Sequence, residues 1–377
     1  MGEFDQAEFK RFVLESGVVG IFPKEKQLKS KRMSNWYVNW RDVTNDPALL
    51  YILAEYVINF ATDKGIAGKI FYGVPEGATK IGVAMNHILG QEILKAPGQM
   101  LDSIELSDIA EDIIEQTGRL NPNCYIGYPA DTPAKELALL TQHVLSTKNK
   151  FASEKLIMPM FRQVTKTHGD EKDQHSYVGK PEGRTVLVIN GPWAKENNFE
   201  DLFGITGTEI VGIVYTDIAE GVIEKKYAPD DVEVFYADGG TLILNNPSGV
   251  VEVEDVTTTG GSAIKKAYEL RQADIKVEGV IGVTNRTELT PIPGLDDPEV
   301  VAAFKKIYQH ATGLEYIGAM GVSDAFDHMG IPYHAMITAP EFLPEAVKAS
   351  DKCPELVKAI EREFKTYGLQ SLKLGVE

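Results

Sequence analysis

The pattern of apolar and polar positions divides much of the chain into strands followed by helices. Residues 6–16 and 47–64 have helical spacing, and a glycine follows each segment. Residues 69–74 form a short apolar run typical of a buried strand, and a helical segment through residues 81–89 follows it. Several such strand–loop–helix units predict an α/β fold with a mainly parallel sheet flanked by helices.

The rest of the chain continues this alternation, with one irregular stretch. Residues 121–133 contain three prolines and are predicted to be a turn-rich linker. We find no internal repeat and no low-complexity tract. The further predicted strands cover residues 156–161, 183–190, 209–217, 232–236, 277–284 and 333–337, and the further helices cover 102–116, 134–145, 297–311 and most of 340–367.

Residues 250–262, VVEVEDVTTTGGS, carry the strongest chemical signal. A β-branched run ends in the acid pair Glu254 and Asp255, and a loop of threonine, glycine and serine then opens a helical segment. The loop amides and the helix N-terminus suit a phosphate, while two carboxylates suit vicinal hydroxyls or a Mg²⁺ held partly by substrate oxygens. Phosphoribosyl pyrophosphate (PRPP) presents all of these groups together.

This stretch resembles the PRPP-binding motif of type I phosphoribosyltransferases, in the form found in orotate phosphoribosyltransferases. The resemblance implies that Glu254 and Asp255 hold the ribose hydroxyls and that the following loop holds the 5′-phosphate. The dinucleotide fingerprint and the Walker A loop both differ from it in their glycine spacing. The implied loop residues are Thr257, Thr258, Thr259, Gly260, Gly261 and Ser262.

A cationic segment at residues 161–169, FRQVTKTHG, resembles the catalytic loop of the same family. The resemblance implies that Arg162, Lys166 and His168 stabilise a departing pyrophosphate, as a mobile cationic loop can do. Gln163 stands where the family usually has a second lysine. A solvated basic patch is the alternative interpretation of this segment taken alone.

The N-terminal segment 28–41, LKSKRMSNWYVNWR, resembles the hood that covers the base in this family. The resemblance places Lys29 near the base carbonyl oxygens, and Tyr37 and Val38 over the base. Lys31 and Asn35 replace the usual glycine and proline.

Two further segments complete the resemblance. Residues 71–81 resemble the pyrophosphate loop, with Glu76 where a polar residue or lysine often stands, and we expect Lys80 to be solvated. In the turn at 282–288, the resemblance gives Arg286 the role of binding the orotate carboxylate, which a guanidinium can grip in bidentate fashion.

The resemblance implies one type I phosphoribosyltransferase domain over residues 1–377, with a hood at 1–45 and insertions at 91–150 and 191–248. It implies transfer of phosphoribosyl from PRPP to orotate, giving orotidine 5′-phosphate and pyrophosphate, a step of pyrimidine biosynthesis. It also implies Mg²⁺ held through the substrate and a homodimer. Asp255, Lys166, Arg162 and His168 are the expected catalytic residues.

The composition limits the possible partners. The net charge of −17 argues against a nucleic-acid or anionic-membrane surface. The two cysteines are far apart and suggest no disulfide framework, no apolar run is long enough to span a membrane, and no signal peptide is recognisable. We therefore expect a cytoplasmic enzyme with small-molecule substrates.

Two other functions remain open. The chain could use another base with the same chemistry, since Lys31, Asn35 and Asn285 depart from the family pattern. It could also be a PRPP-sensing regulator that has lost catalysis, which would require a partner or a DNA-binding element. Competition among orotate, uracil and purines separates the first of these from the orotate enzyme.

Overall fold

The structure is a computed structural model that describes residues 2–117, 125–129, 134–149, 160–161, 177–178, 185–190, 209–216, 233–237, 242–243, 246–350 and 354–375. The strands in these ranges are β1 Val19–Gln27, β2 Met33–Val38, β3 Ile70–Gly73, β4 Ile93–Ala96, β5 Gln99–Leu101, β6 Tyr125–Pro129, β7 Met160–Phe161, β8 Tyr177–Val178, β9 Thr185–Asn190, β10 Glu209–Thr216, β11 Glu233–Ala237, β12 Leu242–Ile243, β13 Val250–Thr257, β14 Val277–Asn285 and β15 Tyr333–Thr338. The helices are Gln6–Glu15, Arg41–Thr44, Pro47–Asp63, Thr79–Ile88, Ser103–Thr117, Ala134–Asn149, Gly261–Gln272, Pro298–Thr312, Val322–Asp327, Ala339–Ala349 and Pro354–Tyr367.

A parallel four-stranded sheet in the order β15–β14–β13–β3 forms the core, and we call it the core sheet. Its central strands β13 and β14 are buried along most of their length because helices cover both faces, as parallel sheets require. Buried apolar side chains of β13, β14 and β15 belong to two clusters packed against these helices. The predicted α/β class is confirmed.

A second sheet in the order β11–β10–β9–β6–β7–β8 lies between the parts of the chain that form the core sheet. Its strands β6, β9, β10 and β11 are parallel, whereas β8 runs antiparallel to β7. The strands β6 to β11, which lie between residues 125 and 237, all belong to this one sheet. The predicted boundaries at 150 and 191 therefore fall inside this unit.

The sequence-based linker at 121–133 contains β6, so that prediction was wrong for residues 125–129. Gly127 and Pro129 suggested a turn, but the parallel pairing with β9 gives this short segment its extended conformation. Tertiary pairing overrides weak local preference in such cases.

The hood consists of β1 and β2, which pair in antiparallel fashion. Trp36 of β2 stacks on Phe364 of the last helix at 5.8 Å between ring centroids. Arg32 donates to Asp296 at 2.6 and 2.9 Å and to Glu288 at 2.8 Å, and all three side chains are buried. These contacts hold the hood against the core sheet.

In the part of the chain that the structure describes, no helix has the length and apolar character needed to cross a membrane.

Candidate functional site

The acid pair lies near the carboxyl end of β13, in the middle of the core sheet. Glu254 is opposite Gly282 of β14, and Val253 is opposite Gly73 of β3. The strand ends at Thr257, and the helix Gly261–Gln272 begins after three further residues. The predicted order of strand, acids, loop and helix is therefore what the structure contains.

Gly260 allows the turn that links this loop to its helix. Its φ of 75° lies in the left-handed region, and an added Cβ would come within 2.4 Å of Val322 Cγ2. A side chain at this position would therefore push the loop away from the helix Val322–Asp327. The tight turn places the helix N-terminus near the acid pair. The amides of this N-terminus can bind an anion.

The carboxyl group of Glu254 holds its proton more tightly than a free carboxyl group does. Burial raises the pKa of Glu254 well above its ordinary value, the charge of Asp255 adds to this effect, and Lys29 opposes it. Glu254 Oε2 is buried and accepts no hydrogen bond from the described residues. An orphaned buried acceptor of this kind fits a ligand that brings hydroxyl donors or a cation.

A cavity of about 370 Å³ opens over the acid pair and its loop. A cavity of this size suits a small ligand. It brings together many of the predicted site residues: Lys29, Tyr37, Glu76, Glu254, Asp255, Thr257, Thr258, Thr259, Gly260, Gly261 and Ser262.

The predicted pyrophosphate loop follows β3 and forms one wall of this cavity. The peptide bond between Pro75 and Glu76 is cis. A Cβ on Gly77 would lie 2.2 Å from Asp255 Oδ2, so the loop backbone approaches the acid pair closely. Glu76 Oε2 accepts from Lys135 Nζ at 3.1 Å, and Lys135 lies on the helix Ala134–Asn149 that precedes the second sheet strands β7 and β9.

Lys80 is buried, contrary to the expectation of a solvated side chain. It donates to Asn45 Oδ1. Burial lowers its pKa to about 7, the charges of Lys135 and Arg41 act in the same direction, and Glu76 opposes them. Lys80 lies in the first turn of the helix Thr79–Ile88. Because this helix is buried on most of its surface, the Lys80 side chain lies inside the protein.

The hood contributes Lys29 and Tyr37 to the cavity but not Val38. Lys29 Nζ donates to Ser262 Oγ at 3.1 Å and thus joins the hood to the helix Gly261–Gln272 that follows the acid pair. Val38 is fully buried in the main hydrophobic cluster and does not line the cavity, so its predicted position over a base is not found. Lys31 replaces the family's glycine at a φ of 62°, and its Nζ contacts Asp297 and Glu299 at 3.1 and 2.9 Å.

Arg286 lies in the core and not in the cavity. Its guanidinium donates to Glu288 at 2.6 Å, Glu363 at 2.8 Å, and the Trp36 carbonyl and Ser34 hydroxyl at 3.0 Å each. It also lies 3.7 Å from the Trp36 ring centre and is 1% exposed. These partners occupy the guanidinium, so the predicted grip on a substrate carboxylate is not found in this arrangement.

The predicted catalytic residues Arg162, Lys166 and His168 lie outside the described residues, between β7 and β8. Among the residues that are described, no group of three or more His, Cys, Asp or Glu side chains could hold a metal ion by itself.

Sequence reasoning missed two parts of the cavity wall. Arg41, at the start of the short helix Arg41–Thr44, lines the cavity. The helix Pro298–Thr312 adds the apolar side chains Val300, Phe304 and Ile307. The spacing of three and four residues between these positions places them on one helix face and was the available signal.

Comparison with known proteins supports the resemblance over part of the chain. No protein-family model matches. A hypoxanthine/guanine phosphoribosyltransferase from Methanocaldococcus sp. (strain FS406-22) is 32% identical over 109 residues, which is 25% of this chain and 56% of the relative. The chain thus spans about half the length of this curated relative.

Solved structures with similar features include an orotate phosphoribosyltransferase from Francisella tularensis, with 14% identity, coverage of 96% of this chain and 99% of that chain, and a TM-score of 0.30. Leishmania donovani UMP synthase has 10% identity, coverage of 96% and 42%, and a TM-score of 0.38. An orotate phosphoribosyltransferase from Aeropyrum pernix has 12% identity, coverage of 91% and 99%, and a TM-score of 0.28. At these TM-scores the superpositions decide neither fold nor function.

The curated relative is a phosphoribosyltransferase, and the acid pair, its loop and its helix have the order that the resemblance to such enzymes predicted. The predicted resemblance of this chain to type I phosphoribosyltransferases is therefore confirmed.

Proposed function

We propose that this protein binds PRPP at the end of β13 and transfers its phosphoribosyl group to the nitrogen of a base, with orotate as the base. The observation that carries this proposal is the acid pair above a tight phosphate loop, with an orphaned carboxylate oxygen at Glu254. A ligand with a diol and a phosphate at ribose spacing satisfies both parts of this site.

The roles of the binding residues follow from their positions. Glu254 and Asp255 accept hydrogen bonds from the 2′- and 3′-hydroxyls, and the amides and hydroxyls of residues 257–262 hold the 5′-phosphate. This grip holds the ribose in one orientation. Fixing the reactants in this way supplies part of the rate by proximity.

The bond between C1 and the pyrophosphate oxygen breaks first, and its electron pair leaves with pyrophosphate. The positive character that develops on the ribose resembles that of glycosyl transfer. A nitrogen of orotate then forms a bond to C1 from the opposite face, with inversion, and the proton of its N–H passes to the released pyrophosphate or to water. The proposed roles of Arg162, Lys166 and His168 are to neutralise the departing pyrophosphate.

The site residues fit Mg²⁺ that is carried by the substrate. Glu254 supplies a buried oxygen without a hydrogen-bond partner among the described residues, and oxygen is the ligand type that Mg²⁺ prefers. Glu254 and Asp255 would face the ion through the ribose hydroxyls. When bound, Mg²⁺ supplies charge neutralisation at the pyrophosphate.

Orotate is favoured as the base by the charges on the hood side of the cavity. Lys29 and Arg41 are cationic, and Tyr37 is aromatic, so a flat anionic base fits this wall better than a neutral one. The apolar face of Val300, Phe304 and Ile307 completes the cavity. The proposal assigns base binding to Lys29, Tyr37 and Arg41, with Thr258 of the loop nearby.

A purine is the second candidate base, because the curated relative is a hypoxanthine/guanine phosphoribosyltransferase. A PRPP-binding regulator without catalysis is the third function considered. The expected homodimer also belongs to the proposal.

The test is Mg²⁺-dependent consumption of orotate with PRPP, followed by the ultraviolet absorbance of orotate and by pyrophosphate release. Equal loss of orotate and appearance of pyrophosphate supports the proposal. Turnover of hypoxanthine or guanine in place of orotate would assign the purine reaction. PRPP binding without turnover of any base would assign the regulator.

A further inference from the structure

The second sheet repeats the strand order of the core sheet. In the core sheet, the chain passes from the edge strand β3 to its neighbour β13 and then outward through β14 and β15. In the second sheet, it passes from β6 to its neighbour β9 and then outward through β10 and β11, again with all four strands parallel. The strand β6 therefore corresponds to β3, and β9 corresponds to β13.

An equivalent helix precedes the first strand of each of the two sheets. The helix Pro47–Asp63 is capped by Asp46, whose Oδ1 accepts from the Ala48 amide at 3.0 Å. The helix Ser103–Thr117 begins after Asp102, whose Oδ1 accepts from the Ile104 amide at 2.8 Å. At the same distances after the two aspartates, both helices bury apolar side chains: Leu50, Ala54 and Val57 in the first, and Leu106, Ala110 and Ile113 in the second.

A buried side-chain amide ties each first strand to the helix that follows it. The sequence Gly-x-Pro begins at Gly73, the last residue of β3, and at Gly127 within β6, and these two glycines occupy matching positions. Asn86 Oδ1 accepts from the Phe71 amide at 2.9 Å, and Gln142 Oε1 accepts from the Ile126 amide at 2.8 Å, with both amide side chains fully buried. The next residue is a histidine in each helix.

These two histidines meet where the two units pack together. The rings of His87 and His143 have centroids 5.8 Å apart, and Tyr51 stacks on His143 at 3.7 Å. Equivalent residues that contact each other are typical of a twofold interface between identical subunits. Such a contact is typical of a structural repeat, which the sequence analysis did not predict.

The second unit has lost the acid pair. Val253 lies opposite Gly73 in the core sheet, and Val188 lies opposite Gly127 in the second sheet. The positions of Glu254 and Asp255 thus correspond to Ile189 and Asn190. Ile189 is fully buried, and a buried isoleucine accepts no hydrogen bond from a ribose hydroxyl.

The second unit nevertheless reaches the cavity of the first. Lys135, in the first turn of its helix Ala134–Asn149, lies 3.1 Å from Glu76 Oε2, and its side chain is 11% exposed. Glu76 lines the cavity at the wall where the pyrophosphate of PRPP would lie. An uncompensated carboxylate there would repel the pyrophosphate, and a lysine beside it reduces that repulsion.

We infer that the helices Ser103–Thr117 and Ala134–Asn149 and the strands β6, β9, β10 and β11 form a second copy of the core that binds no PRPP itself and acts like a partner subunit, and that its Lys135 is a positioning residue for PRPP, holding and neutralising Glu76. This inference rests on the proposed function. It replaces the picture of two separate insertions by one inserted copy. It also assigns a role in binding to a residue outside the phosphate loop.

The test titrates PRPP with Mg²⁺ into the full chain by calorimetry and compares five variants. Lys135→Ala removes the charge, Lys135→Arg keeps it, and Lys135→Ala with Glu76→Gln removes both partners. Lys276→Ala is the matched control, because Lys276 pairs with Glu278 at 2.8 Å at the opposite, amino end of β14. Glu254→Gln, with circular dichroism to verify folding, tests whether a second binding site exists.

The expected result is one PRPP per chain in the wild type. Lys135→Ala weakens PRPP binding by about tenfold, which corresponds to about 1.4 kcal/mol, and lowers kcat far less. Lys135→Arg and Lys276→Ala bind as the wild type does. The double variant regains most of the lost affinity, which a merely structural lysine would not explain.

Several results would overturn the inference. Two PRPP molecules per chain, or full-affinity binding that survives in the folded Glu254→Gln variant, would show that the second copy binds PRPP. Unchanged affinity in Lys135→Ala, or an equal loss in Lys276→Ala, would remove the positioning role. A wild type that binds no PRPP would overturn the proposed function itself, and a wild type that binds PRPP no more tightly than Lys135→Ala does would overturn only the inference.

Discussion

A substitution of Arg286, directly after β14, tests whether this residue stabilises the fold or binds the base. Arg286→Met keeps much of the side-chain volume but removes the contacts to Glu288 and Glu363. Removal of one partner from a buried ion pair costs about 3–5 kcal/mol, because the other charge stays buried without compensation. Glu288 keeps its contact with Arg32 at 2.8 Å, so the uncompensated group is Glu363.

The loss of stability should depend on pH. Burial raises the pKa of Glu363 to about 7, and Arg286 is the largest influence that opposes this rise. A carboxyl whose pKa is higher in the folded state stabilises the fold below its ordinary pKa, and this contribution is lost as the pH rises through the folded pKa. Without Arg286 the folded pKa rises further, so the free energy of unfolding falls more steeply between pH 5 and pH 8.

Urea unfolding of the variant at pH 5 and pH 8 measures this effect. We expect a loss of about 3–5 kcal/mol at pH 8, a smaller loss at pH 5, and recovery of at least half of it when Glu363→Gln is added. Arg362→Met is the control, because Arg362 is exposed on the same helix. A loss below about 1 kcal/mol at pH 8, together with a large rise in KM for orotate, would refute the buried network and return Arg286 to base binding.

Four other predictions concern the cavity and the contact between the two units. Glu254→Gln should raise the melting temperature, since it removes a buried charge, while weakening PRPP binding at least about tenfold by calorimetry. Gly77→Ala should displace the Asp255 carboxylate, 2.2 Å from the new Cβ, and weaken PRPP binding with little change in urea midpoint. Burial, with the charge of the neighbouring histidine, lowers the pKa of His143 to about 4, so stability falls as the pH falls from 6.5 towards 4, and His143→Gln should recover about 1 kcal/mol of unfolding free energy at pH 5. Lys166→Ala should lower kcat far more than PRPP affinity, and an unchanged kcat in a stopped assay would remove its catalytic role.

The strand, acid pair and loop of residues 250–262 were predictable because their chemistry is contiguous. Thirteen residues contain the strand, both acids, the loop and the start of the helix, and local geometry places them together. The hood lysine Lys29 was also predictable, because it stands in a distinctive segment. Sequence periodicity likewise gave most of the helices to within a few residues.

The remaining site features depend on contacts between distant segments. Lys80 was expected to be solvated and Arg286 to bind a substrate carboxylate, yet each is buried against a partner from elsewhere in the chain, Asn45 in one case and Glu363 in the other. Arg41 ends the same segment that contains Tyr37, but only the fold shows that it lines the cavity.

The repeat escaped detection for a different reason. What the two units share is a set of buried positions, a capping aspartate and one buried amide, all of which tolerate changes in residue type. Asn86 and Gln142 accept equivalent hydrogen bonds with different side chains, and the spacing between the glycine and the side-chain amide differs by two residues. Only the order and register of strands in the two sheets make the correspondence plain.

Two copies of one architecture in a single polypeptide remove a constraint that symmetric dimers obey. In a homodimer every substitution appears on both sides of the axis, so a change that improves one site also alters the other subunit. Here the glutamate–aspartate pair at 254–255 and the isoleucine–asparagine pair at 189–190 belong to one gene product and can change independently. One unit can therefore keep the residues that bind the ligand, while substitutions in the other unit improve its packing or its contacts with the cavity. Two identical subunits cannot acquire this asymmetry by mutation.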